Sequence, residues 1–427
     1  MRTQVRRMLE RIAPGAAGDF IDLAHRSVFG AAVGLTARRR YAAVLDAGDR
    51  RTLVTAMLRE PRHAARVAAG FDPGPGLSDE EFLSAAYRAL LERDLDPEGR
   101  RIFTGALAGG STRAEVVRRL ASSEEYLLRA VPRYFPLPDL RALHPERYGE
   151  VQTLAGDAAL VFRAEEPGDF DWIESAIIEG GYYDKPGVWR FEIETDKRLM
   201  AEVVGSLEPT RVLELGCASG PVLQCLHDMG VEVEGVEISR AAIDAAFPDV
   251  RDRIHQVDAT AFDLPSCYDV IFGLDIFEHL NPSRLADCLR RVEAHLEPGG
   301  YVFCNIPAFG PDAVFGRVFE VYLRPWLADC QEGRNFRTLH ADERGYPLNG
   351  HLIWAHTDWW VERFEAVGLR RETGIERALQ SRYGAYLERA TPARRSFYVF
   401  SKDARPPDVG RIQAAISAGG SAVLAAL

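Results

Sequence analysis

The chain has 427 residues and a formal net charge of −11, from 52 basic and 63 acidic residues. This length suffices for two or three domains with full cores. The acidic balance argues against a nucleic-acid substrate, and no stretch approaches the roughly 20 apolar residues of a membrane span. The six cysteines form no Cys-x-x-Cys pair and the first residues lack the apolar core of a signal peptide, so we expect reduced thiols in a cytoplasmic protein.

The amino-terminal third of the chain contains an internal repeat. At an offset of 62 residues and without gaps, the aligned pairs include Phe20 with Phe82, Ala24 with Ala86, Tyr41 with Phe103, Val54 with Val116 and Leu58 with Leu120. Apolar residues at helical spacing and a helix start at 111–115 predict three or four short helices in each copy. We therefore predict an all-α amino-terminal region with one copy at residues 1–70 and a second at 77–130.

The second copy resembles a bacterial helical domain of unassigned function that is similar to phycobilisome linker modules. The first copy is less similar, since it lacks the Asp96–Pro97 pair. Neither copy holds a catalytic constellation, so binding a protein partner, or self-association through residues 1–130, is the expected role. Residues 1–70 hold 13 arginines, no lysine and 6 acidic residues, which suits an anionic partner, although a solvated helical face is the favoured explanation of the charge. The scarcity of lysine is typical of a bacterial source with a high GC content.

Residues 131–198 are predicted as a linker and a lead-in or lid segment, because prolines are frequent at its start. Tyr182, Tyr183 and Trp189 lie among glycines and a proline, as in a pocket rim, and we assign them to substrate binding. The alternative is that these aromatic residues anchor a helix at 194–206 to the core.

Residues 211–220 predict a buried strand, a glycine-containing loop and the start of a helix over 219–229. Gly216 and Gly220 let the backbone approach a ligand, and the helix would direct free N–H groups at it. The glycine spacing matches neither the dinucleotide nor the P-loop fingerprint. Glu214 would repel a phosphate, so the loop suits a ligand that carries an amine or a positive charge.

Four further strands are predicted at 231–237, 254–258, 268–275 and 299–305. Helical patterns lie between them, and this alternation predicts a doubly wound α/β sheet. Glu214, Glu237, Asp258 and Asp275 all fall at strand ends, where such sheets bind ligands, so we expect one shared site. Glu237 lies 23 residues after Glu214, where an acid can accept both hydroxyls of a ribose.

Residues 199–403 resemble the S-adenosylmethionine-dependent methyltransferases of the Rossmann-like class, and 404–427 follow as a tail. The resemblance implies a seven-stranded sheet whose antiparallel last strand, at 396–402, pairs with 369–373. It also implies the cofactor-binding residues. These are Glu214, Gly216, Cys217, Ala218 and Gly220 for the methionine part, Glu237 for the ribose, Asp258 and Ala259 for the adenine, Leu274 beside the reactive methyl, and Ile238 as a further cofactor-binding residue.

An insertion at 306–350 is far longer than the usual crossover loop of roughly 2 to 6 residues. Its aromatic residues and arginines include Phe309, Phe315, Phe319, Tyr322, Trp326, Phe336, Arg317, Arg324, Arg334 and Arg337. They suggest helices that close a pocket over a polar or anionic acceptor. Contacts in a homodimer would explain the same aromatic residues.

His279 and Asp275 are the candidate catalytic residues, since they follow the predicted fourth strand. A sulfonium methyl is already activated, so the enzyme mainly aligns the reactants, and His279 can accept a proton from a hydroxyl. Alternatively, His279 caps a helix or packs on the sheet. Asp275, Glu278 and His279 would share one helical face as metal ligands, with His351 or His356 as another, but no spacing requires this, so we assign no metal.

The sequence therefore favours a methyltransferase that uses S-adenosylmethionine and methylates an oxygen of a small-molecule or glycan-type acceptor. N-methylation of an amine is one alternative. Another is a cofactor-binding scaffold or regulator that acts through its helical repeats. A nicotinamide oxidoreductase is disfavoured by the acidic loop.

Overall fold

The structure is a computed structural model that describes residues 17–47, 50–134, 137–180, 182–184, 193–310, 312, 319–402 and 409–425. The chain divides into two compact units. The first contains residues 1–137 together with 184–188, and the second contains residues 138–183 and 189–427.

The first unit is helical. The first copy forms α1 (Ala17–Phe29), α2 (Leu35–Ala47), α3 (Arg50–Leu58) and α4 (Pro61–Gly70). The second copy forms α5 (Asp79–Leu91), α6 (Pro97–Ala108), α7 (Arg113–Ala121) and α8 (Glu124–Ala130). Where the described residues show a helix start in both copies, the offset of 62 holds within one residue: α2 and α4 begin at Leu35 and Pro61, and α6 and α8 begin at Pro97 and Glu124.

Both copies contribute to one hydrophobic core. Phe20 and its equivalent Phe82 are buried in it, and the last helices of the two copies are joined by a hydrogen bond of 3.0 Å between His63 Nε2 and the Tyr126 hydroxyl. Thr112 caps α7 in a capping box, as the residues at 111–115 predict. The repeats therefore form a single packed body.

The second unit contains a seven-stranded sheet. Its strands are β3 (Arg211–Leu215), β4 (Glu232–Glu237), β5 (Ile254–Gln256), β6 (Tyr268–Leu274), β7 (Leu296–Asn305), β9 (Leu369–Arg371) and β10 (Phe397–Lys402). The strand order is β5-β4-β3-β6-β7-β10-β9, and β10 runs antiparallel to both of its neighbours. This order and the antiparallel last strand confirm the predicted fold class.

Parallel pairing brings the carboxyl ends of the central strands to one edge of the sheet. Leu215 at the end of β3 pairs with Val236 of β4 and with Gly273 of β6. The strands form here because apolar residues such as Val212 and Leu213 are buried in the core on both sides of the sheet. The residues that follow these strands consequently lie close together.

Helices flank and extend the sheet in the second unit. They are α9 (Leu140–Leu143), α10 (Pro167–Glu179), α11 (Thr195–Gly205), α12 (Pro221–Asp228), α13 (Arg240–Asp244), α14 (Leu285–His295), α15 (Arg324–Gln331), α16 (Thr357–Glu365), α17 (Thr373–Ala390), α18 (Val409–Ala418) and α19 (Ala422–Ala425). Within the predicted tail, Ile412 and Ile416 of α18 are buried in the same core as the sheet. Among the described residues, no helix has the length and apolar character needed to cross a membrane.

A second sheet has three antiparallel strands. Strands β1 (Tyr148–Gln152) and β2 (Ala158–Arg163) form a hairpin, and β8 (Thr338–His340) of the insertion pairs with β2. Phe162 stacks on Trp172 of α10 at 5.6 Å between ring centroids. Residues 148–179, inside the segment predicted as a linker and lead-in, are thus a folded layer. The pairing with β8 joins residues far apart in sequence, so it leaves no local pattern.

The insertion shares an aromatic core with Trp354, which follows it in the chain. Trp326 stacks on Phe336 at 4.7 Å between ring centroids and on Trp354 at 5.0 Å, and Phe309 packs against all three rings. These four side chains are buried, so they hold the insertion together and do not present faces to an acceptor. Phe315 and Arg317 lie outside the described residues.

Candidate active site

The loop after β3 requires glycine at both ends. Gly216 and Gly220 have φ angles of +66° and +72°, a region that other residues seldom adopt. A β-carbon on Gly216 would lie 2.8 Å from Ile276 Cδ1, and one on Gly220 would lie 2.9 Å from Val250 Cγ2. Gly220 also serves as the N-cap of α12, so the helix begins two residues later than predicted.

The side chains of Cys217 and Ala218 leave the backbone of this loop open to a ligand. Cys217 is buried and points towards β4, where a β-carbon on Gly235 would lie 2.6 Å from its sulfur atom. Burial raises the pKa of the Cys217 thiol well above its usual range, so the thiol stays protonated. Ala218 has a φ angle of +51°, and the loop therefore offers mainly backbone to a ligand.

Glu237 ties the end of β4 to this loop. Its Oε2 accepts a hydrogen bond of 2.9 Å from the Ala218 N–H, and its Oε1 accepts one of 2.7 Å from the Ser239 N–H. Burial raises the pKa of Glu237, and these backbone hydrogen bonds oppose the rise. The structure thus brings together Gly216, Ala218 and Glu237, which are separate in sequence.

Glu214 is a buried acid with spare bonding capacity. Among the described residues its Oε2 has no hydrogen-bond partner. Burial raises the pKa of Glu214 to about 8, and the positive charge of Lys197 opposes this rise. A carboxylate in this state gains most from a cationic ligand, and the amino group of S-adenosylmethionine is such a group.

Lys197 of α11 was not identified from the sequence. It lies close enough to Glu214 to influence its charge, and burial lowers the pKa of the Lys197 ammonium. An ammonium beside a carboxylate complements the two charges of an amino acid, so the pair fits the methionine part of the donor. No sequence motif identifies Lys197. The chain has only three lysines, and this scarcity is the one feature of the sequence that could have drawn attention to it.

Asp258 and Ala259 follow β5, two strands from the loop. Asp258 Oδ1 accepts hydrogen bonds of 2.7 Å and 2.8 Å from the backbone N–H and the hydroxyl of Thr260. Ala259 is buried, whereas Ile238, next to Glu237, is 42% exposed. An exposed aliphatic side chain beside these acids offers an apolar surface of the kind that an adenine ring covers.

Asp275 follows Leu274 at the end of β6 and has a φ angle of +53°. Its Oδ2 forms an ion pair with Arg394, which also donates to Asn305 Oδ1 at 2.7 Å and to Asp196 Oδ2 at 3.3 Å. Arg394 was also missed in the sequence. It lies in the 3₁₀ turn Pro392–Arg395 that precedes β10, and its guanidinium forms an ion pair with the carboxylate that the sequence assigned to catalysis.

Glu278 and His279 form a short 3₁₀ turn after β6 and meet His351 of the segment that follows the insertion. The His279 Nδ1 lies 3.1 Å from the Gly350 carbonyl oxygen, and the rings of His279 and His351 are 4.9 Å apart. The Nε2 of His351 is 3.8 Å from Glu278 Oε1. This turn does not continue as a helix, so Asp275 bonds to Arg394 while Glu278 and His279 face His351.

Tyr182 and Tyr183 contact both the insertion and His279. Tyr182 stacks on Tyr346 at 5.7 Å between ring centroids, and the ring of Tyr183 lies edge-on to His279 at 6.4 Å. Gly350 fits between Tyr182 and His279, since a β-carbon there would lie 2.9 Å and 3.2 Å from their nearest atoms. Trp189, the third predicted substrate residue, lies outside the described residues.

Comparisons with known proteins match both halves of the chain. Residues 189–381 match the methyltransferase domain family, and residues 72–129 match a domain of unknown function, DUF4214. The second match covers most of the predicted second helical copy.

Individual relatives are more distant. The chain is 29% identical over 144 residues to Hemagglutinin 1 of Eikenella corrodens, which covers 32% of this chain and 47% of that protein. It is 30% identical over 137 residues to the ubiquinone biosynthesis O-methyltransferase of Nitrosomonas europaea, which covers 29% of this chain and 57% of that protein. The chain thus spans about half the length of these curated relatives.

Among solved structures, the sugar N-methyltransferase KedS8 from Streptoalloteichus is 20% identical with a TM-score of 0.33, covering 49% of this chain and 88% of that chain. Residues 189–381 thus match the methyltransferase domain family, and the described strands of the second unit have the order and the antiparallel last strand that the sequence predicts.

Proposed function

We propose that this protein transfers a methyl group from S-adenosylmethionine to an oxygen atom of a small-molecule or glycan-type acceptor. The proposal rests on one arrangement. The carboxylates of Glu214 and Glu237 converge on the loop between Gly216 and Gly220, and His279 follows a neighbouring strand at the same edge of the sheet. Donor and acceptor would meet at that edge, which is where open α/β sheets bind their ligands.

The donor would be held by charge and by backbone. Glu214 receives its amino group and Lys197 its carboxylate, Glu237 receives the ribose hydroxyls, and Asp258 with Ala259 borders the adenine. When bound, S-adenosylmethionine supplies a methyl group already activated by its sulfonium. The protein then has to align the acceptor with that methyl and exclude water.

His279 is the group that we assign to the acceptor hydroxyl. A carbonyl oxygen only accepts hydrogen bonds, so the contact with Gly350 keeps the proton on Nδ1 and the lone pair on Nε2. Burial lowers the pKa of His279, which favours the neutral imidazole. As the new carbon–oxygen bond forms and the carbon–sulfur bond breaks, Nε2 of His279 would accept the hydroxyl proton and S-adenosylhomocysteine would be released.

Two measurements on the full chain test the proposal. Calorimetry with S-adenosylmethionine and S-adenosylhomocysteine should show that both bind. A screen of sugars, phenols and amines, read by release of S-adenosylhomocysteine, should then find turnover with a hydroxyl acceptor. Turnover with amines alone would replace O-methylation by N-methylation, and binding without turnover would favour a scaffold that acts through the helical repeats.

A further inference from the structure

Glu278, His279 and His351 bring three potential metal ligands together. One ligand atom from each lies within 4.8 Å of the others. Glu278 and His351 are buried, whereas His279 is only half-buried, so the cluster has one accessible side. We infer that these three side chains bind a single divalent transition-metal ion, such as Mn²⁺ or Zn²⁺, that also binds the oxygen of the acceptor.

The first argument is that the cluster leaves strong polar atoms without partners. Neither carboxylate oxygen of Glu278 has a hydrogen-bond partner among the described residues, and the same holds for Nδ1 of His351. The contact of 3.8 Å between Glu278 Oε1 and His351 Nε2 is too long for a hydrogen bond. An ionised carboxylate buried without a partner costs several kcal/mol and therefore tends to take up a proton, and a cation between the three groups would stabilise the ionised form instead.

The second argument is that the surrounding backbone orients the ligands. The Gly350 carbonyl holds the His279 ring so that its Nε2 lone pair is available, which is the arrangement found around metal-binding histidines. The N–H groups of Leu352 and Ile353 donate to the Glu278 carbonyl oxygen at 2.8 Å and 2.9 Å. These bonds fix the segment that carries His351 against the turn that carries Glu278.

The ligand types identify the class of metal. Two imidazoles and one carboxylate suit Mn²⁺, Fe²⁺, Co²⁺ or Zn²⁺ better than Mg²⁺ or Ca²⁺, which prefer oxygen ligands. Three protein ligands leave at least one coordination position for a substrate oxygen. The set differs from the one considered in the sequence, because Asp275 bonds to Arg394 and His351 takes its place.

This inference rests on the proposed function and changes the role of His279 in it, because Nε2 would bind the metal and would no longer accept the hydroxyl proton itself. A divalent cation lowers the pKa of an oxygen bound to it, so an acceptor hydroxyl would lose its proton to water. The methyl group then moves from sulfur to that oxygen, which yields S-adenosylhomocysteine, the methyl ether and one proton. The substrate class implied is a hydroxyl compound, since an amine acceptor needs no such help.

The test is a metal titration of the full chain after treatment with a chelator. Co²⁺ is the probe, since its visible absorption reports coordination by nitrogen and oxygen without any activity assay. One Co²⁺ per chain should bind with a new absorption band, and Mn²⁺ or Zn²⁺ should displace it. The variant His351→Asn should bind Co²⁺ more than about tenfold more weakly. The variant His144→Asn, which removes another histidine close to a glutamate, should bind it like the unaltered protein.

The decisive measurement is on the unaltered protein, so a variant that fails to fold does not affect it. The inference would be overturned if folded protein, judged by a normal circular dichroism spectrum, gave no new Co²⁺ absorption band and bound less than roughly one Co²⁺ per ten chains. Binding of S-adenosylhomocysteine is measured in parallel. Metal binding without affinity for S-adenosylhomocysteine would refute the proposed function and leave the metal site intact, and the reverse result would refute only the metal site.

Discussion

The guanidinium of Arg394, in the 3₁₀ turn before β10, forms an ion pair with the carboxylate of Asp275, which follows β6. The same guanidinium reaches Asp196 of α11, so one cation joins three elements around the site. This ion pair argues against a free catalytic carboxylate at Asp275, the role that the sequence predicts for it.

We predict that Arg394→Gln destabilises the protein by roughly 1–3 kcal/mol, because it leaves two carboxylates without their cation in a partly buried site. The effect should be smaller in the presence of Asp275→Asn, with a coupling of at least about 0.5 kcal/mol in a double-mutant cycle measured by urea unfolding. Arg395→Gln is the matched control, since Arg395 pairs with the exposed Glu388 at 3.4 Å and should matter little. Additive effects within about 0.3 kcal/mol would mean that the ion pair does not contribute.

We predict that Glu214→Gln weakens donor binding and stabilises the empty protein. The pKa of Glu214 is about 8 in the folded state, against an ordinary value of 4.5, so the folded state holds an extra proton between about pH 5 and 8. Stability from this group is therefore lost as pH rises through that window. The gain in melting temperature should be larger at pH 8 than at pH 6. An equal gain at both pH values would contradict the raised pKa.

We predict that Lys197→Met weakens S-adenosylmethionine and S-adenosylhomocysteine alike, by roughly tenfold, since both carry the same amino-acid group and a charged hydrogen bond contributes about 1.5–3 kcal/mol. Calorimetry measures both affinities. Arg198→Met removes a positive charge from the adjacent, exposed position and should leave them unchanged. Equal losses in the two variants would indicate a general charge effect and not a specific contact.

We predict that Gly216→Ala abolishes measurable donor binding. It should also lower stability by more than the roughly 1–2 kcal/mol typical of a left-handed residue, since its β-carbon would meet Ile276. Gly230→Ala separates the two causes. Gly230 has a φ angle of +85°, but a β-carbon there has no neighbour within 4 Å. Equal destabilisation of the two variants, measured by urea unfolding, would show that the contact with Ile276 is unimportant.

We predict that His279→Ala cuts turnover about a hundredfold or more while donor affinity stays nearly unchanged, as expected for a group that acts on the acceptor. Steady-state kinetics on an acceptor found in the screen, together with calorimetry, measure the two quantities. Unaltered turnover would remove His279 from the mechanism. A parallel loss of donor affinity would instead indicate that His279 supports the cofactor loop.

Much of the fold could be predicted because its signals are local. The strand before Gly216, the acids at strand ends and the offset between the two helical copies are visible in short stretches of sequence. Strand pairing then follows, since a buried parallel sheet has few ways to connect alternating strands and helices. The same reasoning predicts that Glu237 lies beside this loop, and in the structure its carboxylate accepts a hydrogen bond from the Ala218 N–H.

Side chains that arrive from distant segments could not be predicted. Lys197 and Arg394 lie in ordinary helical and turn sequences, and the strand β8 pairs with β2 although the two strands are far apart in the chain. Asp275, Glu278 and His279 lie within five residues of one another in the sequence. Because the short turn ends at His279 and no helix follows, Asp275 contacts Arg394, whereas Glu278 and His279 face His351. Local patterns determine which elements form, but only the packing of those elements decides which charges meet, because electrostatic partners are set by distance in space.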